Sequence, residues 1–189
     1  MTQQGGANHW SPQLLGSQSN YLLLLAQFQM PRLLRSRFDP ADMVQKTLEK
    51  ALPKLDQCRA ETEAQFRAWL RAILTNILAE EVGRIPCGAG QNVSLRKAMA
   101  ESSGSFERDL AAPGSTPSQR LMREEQMVQL ANAIAALPAD QQRAIRLHHL
   151  DGLSLIAVGH QMTRSKEAVA GLLFRGLKRL RDALGAPHC

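Results

Sequence analysis

Six basic residues, Arg164, Lys166, Arg175, Lys178, Arg179 and Arg181, crowd the stretch from Arg164 to Arg181, where Glu167 is the one acid. At 100° per residue, Lys166, Arg175 and Lys178 turn away from an apolar stripe of Val169, Leu172, Leu173, Leu177, Leu180 and Leu184. A helix of this kind can set its N-terminal end against base edges in a major groove. Its arginines and lysines then neutralise phosphates, an attraction that weakens with salt. A solvated amphipathic helix would carry much the same charge. The preceding residues favour nucleic acid: Ser154 caps a short helix containing Leu155, Val158 and Met162, and three residues, Thr163–Ser165, separate it from the long basic one. Short helix, tight turn and longer helix are the outline of a helix-turn-helix.

Other chemistry finds less support. Gly83, Gly88 and Gly90 lack the preceding strand and the following Lys-Ser/Thr of a phosphate loop. No Ser, Cys or His sits in a recognisable nucleophile motif. The acid pairs Glu80-Glu81 and Glu124-Glu125 are sequence neighbours that diverge on a helix and read as solvated surface. Three cysteines, Cys58, Cys87 and Cys189, are odd in number and widely spaced, which suits a reducing cytoplasm. His148 and His149 are adjacent, so a helix points them about 100° apart and offers no paired metal ligand. No cofactor, metal or small-molecule substrate is expected, and no catalytic residue.

The elements that must position the basic helix are themselves helical. Leu (28) and Ala (25) far outnumber Val (6) and Ile (6) among the 189 residues, so a large sheet is disfavoured. With 44% apolar residues the chain is globular, and with 4% aromatic its interiors must close on Leu and Ala. Met1–Ser11 shows no secretory pattern, and the longest apolar run, Leu22–Ala26, is too short to span a bilayer. The net charge of +6 divides as +2 over residues 1–86, 0 over 87–119 and +4 over 120–189. The middle segment is rich in Gly, Ser and Pro and reads as a flexible linker with a short helix around Val93–Ala100. The expected fold is all-α: two small helical domains, 1–86 and 120–189, joined by 87–119.

Capping residues mark the helix starts. Ser11-Pro12, Asp39-Pro40 and Thr116-Pro117 each put a side-chain acceptor before a proline at the first helical position. Thr62 with Gln65, and Thr116 with Gln119, fit capping boxes. The expected helices are Pro12–Met30, Pro40–Leu52 (ended by Pro53) and Glu63–Ile85, then Pro117–Leu137, Ala139–Leu150, a third after Ser154 and a fourth after Ser165. On the third of the first domain, Phe66, Trp69, Leu70, Ile73 and Ile77 form the apolar stripe, with Arg67, Arg71 and Asn76 projecting elsewhere.

Two segments resemble the extracytoplasmic-function sigma factors, compact promoter-recognition subunits of bacterial RNA polymerase. The first is Phe38–Arg84, with D-x-V-Q on one helix and F-x-x-W-L-x-x-I-x-x-N on another. The second is Leu137–Leu184, with L-P-x-x-x-x-R, G-L-S and A-V-x-x-x-x-x-R-x-L in that order. Together they span about half the chain, in the right order. The resemblance implies that Asp42, Gln45 and Glu49 dock on the clamp helices of core polymerase. It implies that the loop Asp56–Glu63 and the next helix hold the unpaired minus-ten strand, with Gln57, Arg59, Phe66, Trp69, Arg71 and Asn76 as its parts. For Phe66 and Trp69 a purely core role is the competing reading. Arg164, Lys166, Glu167, Ala170, Gly171, Phe174, Arg175 and Lys178 would read the minus-thirty-five duplex. Core RNA polymerase (clamp helices and flap), promoter DNA and an anti-sigma protein are the partners so implied; no membrane is.

The chain departs from the family at several points. The loop often reads Phe-Arg-Gly, and here it is Cys58-Arg59-Ala60. Gly83 stands where a basic residue is common, and Ala170-Gly171 where Lys or Arg and Ser are common. Thr163 occupies a turn position often held by Gly. The alternatives to an alternative sigma factor are a helix-turn-helix regulator that works without polymerase and a decoy that binds polymerase without opening promoters.

Overall fold

Local capping sets the helix starts, and the caps form as the sequence requires. A computed structural model of the protein describes residues 10–30, 32–85, 97 and 116–185. Among these all regular structure is helical. The helices are α1 (Pro12–Ser17), α2 (Ser19–Gln29), α3 (Arg32–Arg35), α4 (Pro40–Ala51), α5 (Glu63–Arg84), α6 (Pro117–Ala135), α7 (Ala139–Ile145), α8 (Leu155–Met162) and α9 (Lys166–Ala183). The short helix expected around Val93–Ala100 and most of the 87–119 segment lie outside the described residues. The described chain forms two compact units, divided between Glu124 and Glu125 within α6.

In the first unit the helix expected over Pro12–Met30 breaks at Gln18. Gly16 weakens the helix there, and two hydroxyls compete for its carbonyls: Ser17 Oγ donates to Leu14 O (2.8 Å) and Ser19 Oγ to Gly16 O (2.6 Å). α2 follows as the central element, burying Tyr21, Leu22, Leu24, Leu25 and Ala26 on nearly every side. α4 packs on α2 and α5 through Met43, Val44, Thr47 and Ala51. Asp39 Oδ1 caps it by accepting from Ala41 N at 2.9 Å. Pro53, which lacks the N–H an α-helix needs, ends α4, and the chain continues as a 3₁₀ segment, Leu52–Gln57. α5 starts at Thr62, whose hydroxyl accepts from Gln65 N (3.3 Å), while Gln65 Oε1 accepts from Glu61 N (2.7 Å).

The charge pattern of α5 differs from expectation. Arg67 and Glu81 are buried along with Phe66, Leu70, Leu74, Ile77, Leu78 and Val82. Partners remote in sequence make this tolerable. Glu81 Oε1 accepts from Lys46 Nζ on α4 (2.7 Å) and Arg84 Nη1 (3.0 Å). Lys50 Nζ meets Glu80 at 2.9 Å, an exposed pair of little energetic weight. Glu124 is likewise buried. Two of the acids taken from sequence as solvated are therefore interior, since desolvated carboxylates persist where cations meet them.

The second unit closes around Leu137, Ala144, Ile145, Leu147, Val158, Val169, Leu172, Leu173 and Leu180. α6 begins on a reciprocal box in which Thr116 N donates to Gln119 Oε1 (3.0 Å) and Gln119 N to Thr116 Oγ1 (3.3 Å). α7 runs on as a π-helical turn, Arg146–Leu150. That wider turn brings the His148 and His149 rings into edge contact at 4.8 Å between centroids, where an ordinary helix would have spread them. Leu177 and Leu184, expected inward on α9, are 39% and 38% exposed. Leu177 sits at the edge of the stripe, and the centre is taken by Gly176, where an added Cβ would lie 2.8 Å from Ile145 Cδ1 of α7.

α8 and α9 form the expected pair. Ser154 and Ser165 cap them by accepting from Ala157 N and Ala168 N, each at 3.2 Å. Thr163 makes the turn in the left-handed region (φ 54°, ψ 47°), and Arg164 N donates to Gly159 O at 2.9 Å. A β-branched residue is strained there by about 1–2 kcal/mol. Thr163→Gly is therefore expected to stabilise the second unit by about 1 kcal/mol after the added flexibility of its unfolded chain is counted. Urea denaturation of the full chain reads this as a higher midpoint for the corresponding transition.

Candidate nucleic-acid interface

The outward face of α9 carries the residues expected to meet duplex DNA. Lys166, Glu167, Ala170, Phe174, Arg175 and Lys178 are exposed, and Gly171 is half-buried. Phe174 is 72% exposed, an unusual cost for so large an apolar side chain. Arg175 leans back over Gly171: a Cβ built on Gly171 would lie 3.3 Å from Arg175 Nη1. The missing side chain at Gly171 thus leaves room for the Arg175 guanidinium one turn nearer the N-terminal end of α9. Glu167, in the first turn, has its carboxyl held below the usual range by hydrogen bonding to its own backbone N–H and to Ser165. Its charge offsets part of the cationic face and suits the positive end of the helix. Arg164 is already engaged, pairing with Asp140 of α7 at 2.5 Å. That bond, with Arg143 Nη2 to Gln161 O (3.1 Å), fastens the turn to α7.

In the first unit the six residues expected at the minus-ten strand do not form one surface. Gln57, Arg59 and Asn76 are exposed or partly so, and Trp69 is half-exposed. Phe66 is not available: it is 1% exposed, stacked flat on Trp10 with ring centroids 4.2 Å apart and planes within 2°. It belongs to the core, where its burial removes apolar area from water, and it has no free face for a base. Trp69 continues the column at 5.7 Å from Phe66. Trp69 and Asn76 share one side of α5, because seven residues make almost two full turns. Arg71 points about 160° away from Trp69.

Arg71 is also occupied. It donates to Glu124 in a very short contact and to Tyr21 Oη at 2.7 Å. Arg67 Nε lies 3.5 Å from the same Glu124 oxygen, an ion pair without good hydrogen-bond geometry, and its Nη1 reaches Glu63 at 3.0 Å. Burial would lower the pKa of Arg71, but Tyr21 and Glu124 outweigh it and raise it, so the guanidinium stays charged. Burial pushes the Tyr21 phenol up against the pull of Arg71. This network is a structural anchor for the start of α6. Arg67 as an outward projection is corrected by its burial, and Arg71, expected at the unpaired strand, is engaged here by Tyr21 and Glu124.

On α4, Asp42, Gln45 and Glu49 are exposed on the side opposite Met43, Val44 and Thr47. Gln45 Nε2 donates to Glu49 Oε1 at 3.4 Å. The result is an acidic, exposed strip along one helix. Sequence reasoning missed two contributors, Trp10 and Glu124, whose partners stand far away in the chain. The one available hint for Trp10 was its rarity, since the chain has two tryptophans. Among the described residues no group of three or more His, Cys, Asp or Glu side chains could hold a metal ion. No described helix is long and apolar enough to cross a membrane.

Comparison with known proteins bears on both units. The family model "Sigma-70, region 4" matches residues 127–180, which include α7, α8 and most of α9. Over 169 residues the chain is 30% identical to the ECF RNA polymerase sigma-E factor of Salmonella typhimurium strain LT2, spanning 85% of this chain and 84% of that protein. The sigma-E factors of Escherichia coli K12 and Shigella flexneri are similar to the same extent.

Proposed function

Because the chain belongs to the ECF sigma factor family, and so is an alternative sigma factor of transcription initiation, we propose a division of labour between its two units. The second unit reads the minus-thirty-five duplex through Lys166, Glu167, Ala170, Gly171, Phe174, Arg175 and Lys178, and also meets the polymerase flap. With one methyl at Ala170 and none at Gly171, hydrogen-bond readout falls to Lys166, Glu167 and Arg175. The acidic strip Asp42, Gln45 and Glu49 on α4 docks on the clamp helices of core polymerase. The loop with Gln57 and Arg59, together with Trp69 and Asn76 on α5, holds unpaired bases of the minus-ten strand, where stacking must be replaced. Residues 87–119 connect the helices of 1–86 to those of 120–189. The work is binding, in the cytoplasm, with no chemistry by the chain itself. An anti-sigma protein is the controlling partner in this reading.

The observation that supports it best is that the likeness to sigma-E factors runs through both units and not the helix-turn-helix alone. Charge reversals test it. Arg175→Glu is expected to weaken promoter duplex binding by roughly ten-fold or more and to flatten its salt dependence. Asp42→Lys is expected to weaken core-polymerase binding while leaving duplex affinity alone. Filter binding across salt concentrations and polymerase pull-down read the two steps separately. Both substitutions acting on one step would overturn the division.

A further inference from the structure

The loop Cys58–Glu61 has no regular structure, yet it is tied at three places. Its start is held by Cys58 N donating to Leu55 O at 3.0 Å. Its end is held by Glu61 N donating to Gln65 Oε1 at 2.7 Å. Its middle is held from the far end of the unit: Trp10 Nε1 donates to Ala60 O at 2.8 Å, across 50 positions of sequence. The same indole lies flat on Phe66, and Phe66 in turn neighbours Trp69, so one column of rings runs from beneath the loop to a half-exposed face on α5.

We propose that Trp10 is a positioning residue for capture of the unpaired promoter strand: its indole N–H fixes the backbone at Ala60, and its ring fixes the Phe66–Trp69 column, so that the loop and Trp69 keep a set spacing. This rests on the strand-holding role proposed for the first unit. The physical case is preorganisation. A loop that must grip an unstacked base loses less freedom on binding if its backbone is already held. The side chains here give little rigidity of their own, since Ala60 has only a methyl and Arg59 is a long exposed arm. An indole serves this purpose where a phenyl ring would not, because it adds a directional donor to a large apolar face. Burial of Trp10 to 5% exposure keeps it from touching the base itself. Its effect passes through the loop and through Trp69.

Trp10→Phe separates this role from mere packing, since it keeps a ring against Phe66 and removes the donor. The test uses holoenzyme rebuilt from core polymerase and the full chain. One probe is a promoter fragment with its minus-ten non-template strand unpaired; the other is a duplex carrying the minus-thirty-five element alone. Trp10→Phe is expected to weaken capture of the unpaired strand roughly five-fold, the share of one hydrogen bond, with duplex binding and thermal midpoint nearly unchanged. Trp10→Ala should lose capture and melting temperature together. If Trp10→Phe captures the strand as tightly as the native chain, Trp10 only fills the core and the proposal is overturned. If the native holoenzyme shows no preference for the unpaired strand, the role of the first unit falls and takes the proposal with it.

Discussion

Glu124→Ala is expected to destabilise the first unit by about 3 kcal/mol. The carboxylate is 8% exposed and answers two guanidinium groups, Arg67 at 4% and Arg71 at 18%. Removing it leaves two interior cations with Tyr21 Oη and Glu63 as their remaining partners. The loss of one partner from a buried ion cluster costs about 3–5 kcal/mol. The lower end applies because the first turns of α6 can lift away and let water reach the arginines. Glu124→Gln should cost less, since an amide oxygen still accepts from Arg71 while the charge is gone. Chemical denaturation followed by circular dichroism measures both. A Glu124→Ala chain as stable as the native one would mean that the arginines are hydrated without the carboxylate.

An effect of similar size belongs to the helix-turn-helix. Gly159 of α8 is buried, and a Cβ there would stand 2.7 Å from the carbonyl oxygen of Arg164. That neighbour is backbone, held in place by the left-handed Thr163 and by the Arg164–Asp140 pair, so it cannot yield cheaply. Gly159→Val should cost about 3 kcal/mol, against a total on the order of 5 kcal/mol for so small a unit. Specific duplex binding should disappear with it, because the α8–α9 angle sets where α9 meets a groove. Gly176→Ala is the control. Its Cβ would press on the side-chain tip of Ile145 and not on backbone, and the gain in helix propensity of about 1 kcal/mol offsets the repacking. Thermal unfolding and duplex binding by the two variants should therefore differ sharply.

These two glycines show which parts of the molecule could be read from sequence. Helix starts were legible because a cap is a local device: Ser11, Asp39, Thr62, Ser154 and Ser165 each bond an amide two or three residues on. The helix-turn-helix was legible for the same reason, with its stripe, turn and caps within thirty-odd residues of sequence. Thr163 could be placed in the turn, but its left-handed backbone could not be inferred from a residue type that avoids it. Burial of charge was not legible. Glu81 meets Lys46 from 35 positions away, and Glu124 meets Arg71 from 53 away, so periodicity on one helix carries no trace of either. Phe66 illustrates the same limit at the candidate site. Its place on α5 was compatible with a stacking surface or with core, and what decides is the flat contact with Trp10.

The candidate interface is built differently in each unit. On α9 the proposed readout surface is sparse: two small residues, an exposed phenylalanine and cations around them. On the first unit the proposed contact set is Gln57, Arg59, Trp69 and Asn76, with Arg71 engaged by Glu124 and Phe66 in the core. Residues 1–86 carry a net charge of only +2, so electrostatic attraction alone gives that segment little pull on nucleic acid.

Transcription in vitro with core polymerase, the full chain and a promoter library is the decisive test of this division of labour. Transcripts are expected from a defined promoter class, lost with Arg175→Glu through duplex recognition and with Asp42→Lys through polymerase binding. The absence of any promoter-specific transcript, together with tight specific duplex binding by a chain that ignores core polymerase, would contradict it.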